Sequence, residues 1–126
     1  MADSVNFAQQ LLDNLKIGIY YVSSYGDFKY KNIIFDKVFN THNCSQEIIF
    51  KLLFPSAIIN QIDTLTNNNF TLFYCTFNSS NEKIAVKNNL KIIKSNDFIE
   101  YQGTIEEINL SELISYYLPI LQAESL

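Results

Sequence analysis

Ile99-Glu100-Tyr101-Gln102-Gly103-Thr104-Ile105-Glu106 decides the fold class, because apolar and polar residues alternate through it without a break. Ile99, Tyr101, Gly103 and Ile105 fall on one face, and Glu100, Gln102, Thr104 and Glu106 on the other. That is the pattern of a strand in an antiparallel sheet that is dry on one side and wet on the other. Working back along the chain, Lys83 to Lys94 and Phe70 to Phe77 read as two more strands. Turns at Asn78-Ser79-Ser80-Asn81 and Ser95-Asn96-Asp97 separate the three. Irregularity is expected at Asn88-Asn89, since asparagine is a poor strand former.

The earlier half supplies the other layer. Ser4 can cap a helix in which Phe7, Ala8, Leu11, Leu12 and Leu15 recur at helical spacing. Ile17 to Ser23 and Phe28 to Lys31 form a hairpin around Tyr25-Gly26-Asp27. The period then changes. Ile34, Phe35, Val38 and Phe39 fit one short helix, and Ile48, Ile49, Leu52 and Leu53, behind a cap at Ser45, fit a second that Pro55 ends. Ile58, Ile62 and Leu65, behind Ser56, fit a third. After the strands, Asn109 with Glu112 makes a capping box for a last helix carrying Leu113, Ile114, Tyr117 and Leu118, which Pro119 should kink or end. The expected fold is α+β: a five-stranded antiparallel sheet with short helices between strands two and three, flanked by terminal helices. One domain spans 1–126, with 1–15 the first helix, 16–108 the core and 109–126 the last helix.

Composition narrows the function. Nearly half the chain is apolar, enough for one core in 126 residues. The net charge is −4 and no arginine is present, so the guanidinium fork that reads phosphate and guanine is missing and nucleic acid is a poor partner. Cys44 and Cys75 have no CxxC spacing, which argues against zinc and for reduced thiols. No signal peptide opens the sequence and no apolar run approaches the roughly 20 residues that span a bilayer. A cytoplasmic location is expected, although an excised piece of a membrane-anchored receptor would read the same. The abundance of Ile, Asn, Lys, Phe and Tyr points to an AT-rich genome.

The order of elements, with several residues in it, resembles the PAS family over nearly the whole chain. Leu11-Leu12-Asp13-Asn14-Leu15 leading into Gly18-Ile19-Tyr20 is similar to the family's approach to its first strand. Gly26, Tyr30 and Asn32-Ile33-Ile34-Phe35 resemble its turn, second strand and Asn-x-x-Phe helix start. Glu47 with Leu53-Phe54-Pro55 resembles its middle helices, and Tyr101-Gln102-Gly103-Thr104-Ile105 its last strand. Where members often carry Asp-Ile-Thr, this chain has Glu107-Ile108-Asn109, and Asn78 to Asn81 replaces a frequent Asp-Gly turn. The resemblance implies a sensory, dimerisation or partner-binding module of a larger signalling protein, with Glu107, Ile108 and Asn109 relaying the signal to an effector domain.

Several residues invite a chemical reading. His42 is the lone histidine and falls in a connection, whereas haem ligation would want one on the third short helix; a solvated loop histidine is the default. Asn43-Cys44 is similar to the reactive pair of light-sensing flavin members but lies too early, and Cys75 reads as a small buried hydrophobe. No haem, flavin or metal is therefore expected. Catalysis would need Glu47 or Glu107 held near Tyr101 in an apolar pocket, as in small α+β isomerases; otherwise these acids cap helices or face water. A ligand cavity would be walled by Leu53, Ile58, Ile62, Phe73, Cys75, Tyr101 and Gly103, with the Tyr101 hydroxyl orienting an apolar or weakly polar molecule; the alternative is a closed core. Lys83, Lys87, Lys91 and Lys94 read as the solvated edge of a strand. Phe7, Leu11 and Leu15 lack an obvious burial site, so they are expected to form a homodimer contact.

Overall fold

The computed structural model describes residues 7, 10, 11, 14, 16–64, 68–95 and 97–125. Phe7, Gln10, Leu11 and Asn14 are helical, while Ser4, Ala8, Leu12 and Leu15 of the expected first helix lie outside the described residues, as does Leu65. The chain then runs β1 (Gly18–Ser23), β2 (Phe28–Lys31), α1 (Ile33–Phe39), α2 (Gln46–Leu53), α3 (Ser56–Thr64), β3 (Asn69–Phe77), β4 (Lys83–Lys94), β5 (Ile99–Ile108) and α4 (Leu110–Ser125). All pairings are antiparallel and the sheet order is β2-β1-β5-β4-β3. The first and last strands thus lie side by side in the interior, Gly18 opposite Ile105 and Tyr20 opposite Gly103.

Local chemistry sets the boundaries. Gly26 takes φ 93 in the hairpin turn, a conformation that suits a residue without Cβ. Asn32 ends β2 and caps α1: its Oδ1 accepts from Phe35 N at 3.0 Å and from Ile19 N at 2.9 Å, and its Nδ2 donates to Ile17 O at 3.1 Å. One buried side chain therefore ties the helix start to β1. Ser45 caps α2 by accepting from Ile48 N at 3.3 Å. Ser56, expected as the next cap, is instead already helical, and the Pro55 carbonyl accepts from Ile58 and Ile59. Asn109 caps α4, accepting from Glu112 N at 2.8 Å while its own amide reaches Glu112 Oε1 at 3.3 Å.

Three expectations are corrected. Asn88 and Asn89 interrupt nothing: β4 pairs continuously with both neighbours through them, Asn88 facing in and Asn89 out. Of the kink or end expected at Pro119, the end does not occur: Pro119 lies inside α4, and the residues just before it are exposed, so water can take up the Ser115 carbonyl that loses its helical partner. The lysines of β4 do not protect an edge, since β4 is an interior strand. Lys87 and Lys91 stand on the outer face, Lys87 lying 3.9 Å from Glu106, and the true edges are β2 and β3.

Helices α1 to α3 cover the inner face. Tyr20, Val22, Leu72, Tyr74, Val86, Ile92, Tyr101 and Ile105 of the strands meet Phe35, Phe39, Leu53, Phe54 and Ile62 of the helical layer in one cluster. Each such side chain contributes about 1.5–3 kcal/mol when fully removed from water. This layer holds the fold and defines the space a ligand would have to enter.

Candidate functional site

The structure separates the expected cavity walls. Leu53, Ile62 and Tyr101 are buried together on the inner face, Ile58 packs partly buried beside them, and Gly103 lies under the Tyr20 ring. Phe73 and Cys75 are on the opposite face. In β3 the inward residues are Leu72, Tyr74 and Thr76, so the expected set was one residue out of phase, and a shift of one residue exchanges the faces of a strand. What remains beside the Tyr101 ring is a niche of about 70 Å³ among Ile62, Asp63, Ile92, Lys94 and Ile99. That is roughly the room of two waters, against 300 Å³ or more for ligand pockets.

The rest of the space is filled by the protein itself. Tyr20 packs its ring against Phe35 and Phe54, and its hydroxyl donates to Asn88 Oδ1 at 2.6 Å. Asn88 Nδ2 donates to the Tyr74 hydroxyl at 3.0 Å, which donates to the Leu53 carbonyl at 2.6 Å. Thr76 Oγ1 serves the Leu52 carbonyl at 2.5 Å. Leu52 and Leu53 close α2 just before Pro55, where carbonyls have no helical donor, so strand side chains act as the cap. Burial pushes both tyrosine hydroxyls up from their ordinary pKa, Tyr20 well above it, so these hydroxyls stay protonated and keep donating even in alkaline solution. Sequence reading passed over Tyr20, Tyr74 and Asn88; the only signal was an asparagine at an inward position of an otherwise regular strand.

On the outer face Glu100 is 5% exposed although it belongs to the wet side of β5. It is ion-paired with Lys29, accepts from the Tyr21 hydroxyl at 2.8 Å, and Lys29 lies over the Tyr21 and Phe98 rings. The hydrogen bond from Lys29, then that from Tyr21, hold the Glu100 carboxyl below its ordinary pKa, while burial opposes them. A lowered folded-state pKa stabilises the fold above the unfolded carboxylate value near 4, and the contribution disappears as pH falls through the folded value. Glu100→Gln is therefore expected to flatten the acid side of a stability-against-pH curve below about pH 4.5. Urea melts at stepped pH check this, and an unchanged acid limb would refute it.

Helix α4 folds back over the β3 edge. Tyr116 stacks on Phe73 at 4.2 Å between ring centroids, and the Tyr117 hydroxyl donates to the Phe73 carbonyl at 2.6 Å. Leu110, Ile114 and Leu118 of this helix remain exposed, as do Phe7 and Leu11 of the first helix at 63% and 49%. Glu107, Ile108 and Asn109 join β5 to α4 and border a cleft of about 600 Å³ with Lys16, Ile34, Lys37 and Val38. The acids considered for catalysis are not brought to Tyr101: Glu47 is exposed on α2 and lies 3.4 Å from Lys51, and Glu107 is exposed near the end of β5. His42 is an exposed loop residue, and Cys44 and Cys75 are half-buried free thiols.

Solved structures match this arrangement. The PAS domain of an HTR-like protein from Haloarcula marismortui aligns at TM-score 0.58 and 10% identity, covering 86% of this chain and 100% of its own. A sensory box histidine kinase/response regulator from Burkholderia thailandensis aligns at TM-score 0.57 and 12% identity, over 92% and 95% of the two chains. The N-terminal domain of a diguanylate cyclase with PAS/PAC sensor from Marinobacter aquaeolei aligns at TM-score 0.56 and 9% identity, over 76% and 98%. The fold is that of PAS domains. No protein-family model and no curated protein matches the sequence. In this chain Tyr20, Phe54 and Tyr101 fill the space between the helices and the sheet.

Proposed function

We propose that the chain is a PAS-type sensory or regulatory module of a signalling protein, working by association of its helical surfaces and not by catalysis. The observation that carries this reading is the apolar surface left open on both terminal helices, Phe7 and Leu11 on the first and Leu110, Ile114 and Leu118 on α4, beside a filled core. Leaving large aliphatic and aromatic groups in water gives up stabilisation that a second copy would restore, and a homodimer is the simplest way to cover a patch present on every molecule. Similarity to PAS domains of sensor kinases supports the signalling role. In this reading Glu107, Ile108 and Asn109 relay movement, because Asn109 both ends the sheet and starts α4. Free thiols at Cys44 and Cys75 fit a reducing, cytoplasmic setting, and among the described residues no helix is long and apolar enough to cross a membrane.

Light scattering tests the association. The wild-type chain at tens of micromolar is expected to have the mass of two chains, and Leu11→Lys or Ile114→Lys that of one, with unchanged circular dichroism. A wild-type monomer would overturn the proposal. The receptor reading draws on the Tyr101 niche, whose volume suits a small head group at most.

A further inference from the structure

We infer that the outer face of the sheet, turned away from the helical layer, carries a binding site for an extended, uncharged oligosaccharide. The inference rests on this face alone and holds whether or not the terminal helices bring two copies together. Strand pairing places one outward residue from each strand in a single row: Tyr30 on β2, Tyr21 on β1, Gln102 on β5, Lys91 on β4 and Asn69 on β3. Beside it, two positions along each strand, Ile19, Thr104, Asn89 and Thr71 form a second row. The two rows floor a shallow trough of about 680 Å³, which lies in the size range of small-molecule sites.

The borders of the trough are satisfied within the protein, and its floor is not. On one side the next row holds the Lys87–Glu106 pair and the Phe73–Tyr116 stack; on the other, Glu100 is taken up by Lys29 and Tyr21. Between them Thr71 Oγ1 donates to Asn89 Oδ1 at 2.5 Å, and Asn89 Nδ2 reaches Thr104 Oγ1 at a long 3.4 Å. Among the described residues the side chains of Tyr30, Asn69 and Lys91 have no hydrogen-bond or ionic partner. Lys91 is the one cation in the two rows and the chain carries −4 overall, so a polyphosphate strand finds no counter-charge. Ile19 is the one aliphatic side chain, so an acyl chain or an apolar helix would bury little. Amides and hydroxyls both donate and accept, which is what neighbouring sugar hydroxyls demand. Spacing then decides between a sugar chain and a peptide. Side chains along a row recur about every 4.8 Å, the distance between strands, close to the length of one ring in an extended β-linked glucan, whereas an extended peptide repeats every ~3.4 Å and falls out of step. The exposed ring of Tyr30 ends the row and offers a flat face to the C–H side of a terminal sugar.

Chemical-shift titration of the isotope-labelled chain with cellopentaose tests this. Cellopentaose is expected to move the side-chain amides of Asn69, Asn89 and Gln102 saturably, at a concentration on the order of 1 mM. Cellobiose, which spans too few strands, and maltopentaose, whose chain curls, should each bind about tenfold more weakly or worse. Asn69→Ala and Lys91→Ala remove side chains that hold nothing in the free protein. Each should therefore leave the melting temperature unchanged while weakening cellopentaose about threefold to tenfold, the worth of one hydrogen bond. The inference is overturned if cellopentaose at about 10 mM moves no outer-face amide, if cellobiose or maltopentaose binds as tightly, or if the two substitutions combined leave the affinity at the wild-type value.

Discussion

Gly103→Ala is expected to destabilise the fold by about 3 kcal/mol, although alanine adds a single methyl group to a strand. The new Cβ would collide with the Asn89 carbonyl oxygen, which the β4–β5 pairing fixes, and with the Tyr20 ring. Backbone cannot retreat without opening the sheet, so the ring must move. Overpacking costs about 1–3 kcal/mol, and displacing the Tyr20 hydroxyl from Asn88 adds about 1 kcal/mol or more. For a domain of this size the melting temperature should fall by roughly 10 °C. Differential scanning calorimetry measures it. A variant within 3 °C of wild type would show that the sheet accommodates the methyl group and that Tyr20 is not seated as described.

The second large effect concerns Asn88. Asn88→Ala removes the acceptor of Tyr20 and the donor to Tyr74 and leaves a void under them. A buried polar group left without a partner costs about 1–3 kcal/mol, and the cavity adds to this, for a total of about 4 kcal/mol. Urea denaturation should show a lower midpoint at unchanged slope. The informative comparison is a double-mutant cycle, because Asn88→Ala made in a Tyr20→Phe background has one less hydroxyl to orphan. Its cost should be smaller by about 1 kcal/mol or more, since residues in direct contact do not act additively. Strict additivity would mean that the two side chains do not share a hydrogen bond.

The same residues show how far the sequence could be read. Ile99 to Glu106 alternates regularly, and β5 follows it with Tyr101 and Ile105 inward. Hairpin, helices and caps were legible because Gly26, Asn32, Ser45 and Asn109 act through neighbours a few positions away. Phe73 and Cys75 were misplaced because aromatic and thiol residues suit either face of a strand; only pairing shows that Leu72, Tyr74 and Thr76 face the helices. Asn88 looked like a break since strand propensity says nothing of a tyrosine 68 positions earlier that reaches it across a glycine. Glu100 was assigned to water for a similar reason, and Lys29 with Tyr21 takes it out of water. Contacts distant in sequence decided what the core holds.

The pairing of Gly18 with Ile105 has a mechanical consequence. The stretch preceding β1 and the helix following β5 leave from one corner of the sheet, on strands joined along their length. A torque applied to either is resisted first by the hydrogen bonds between these two strands, and one applied to the helix also reaches the β3 edge through the Tyr116 stack on Phe73 and the Tyr117 hydrogen bond.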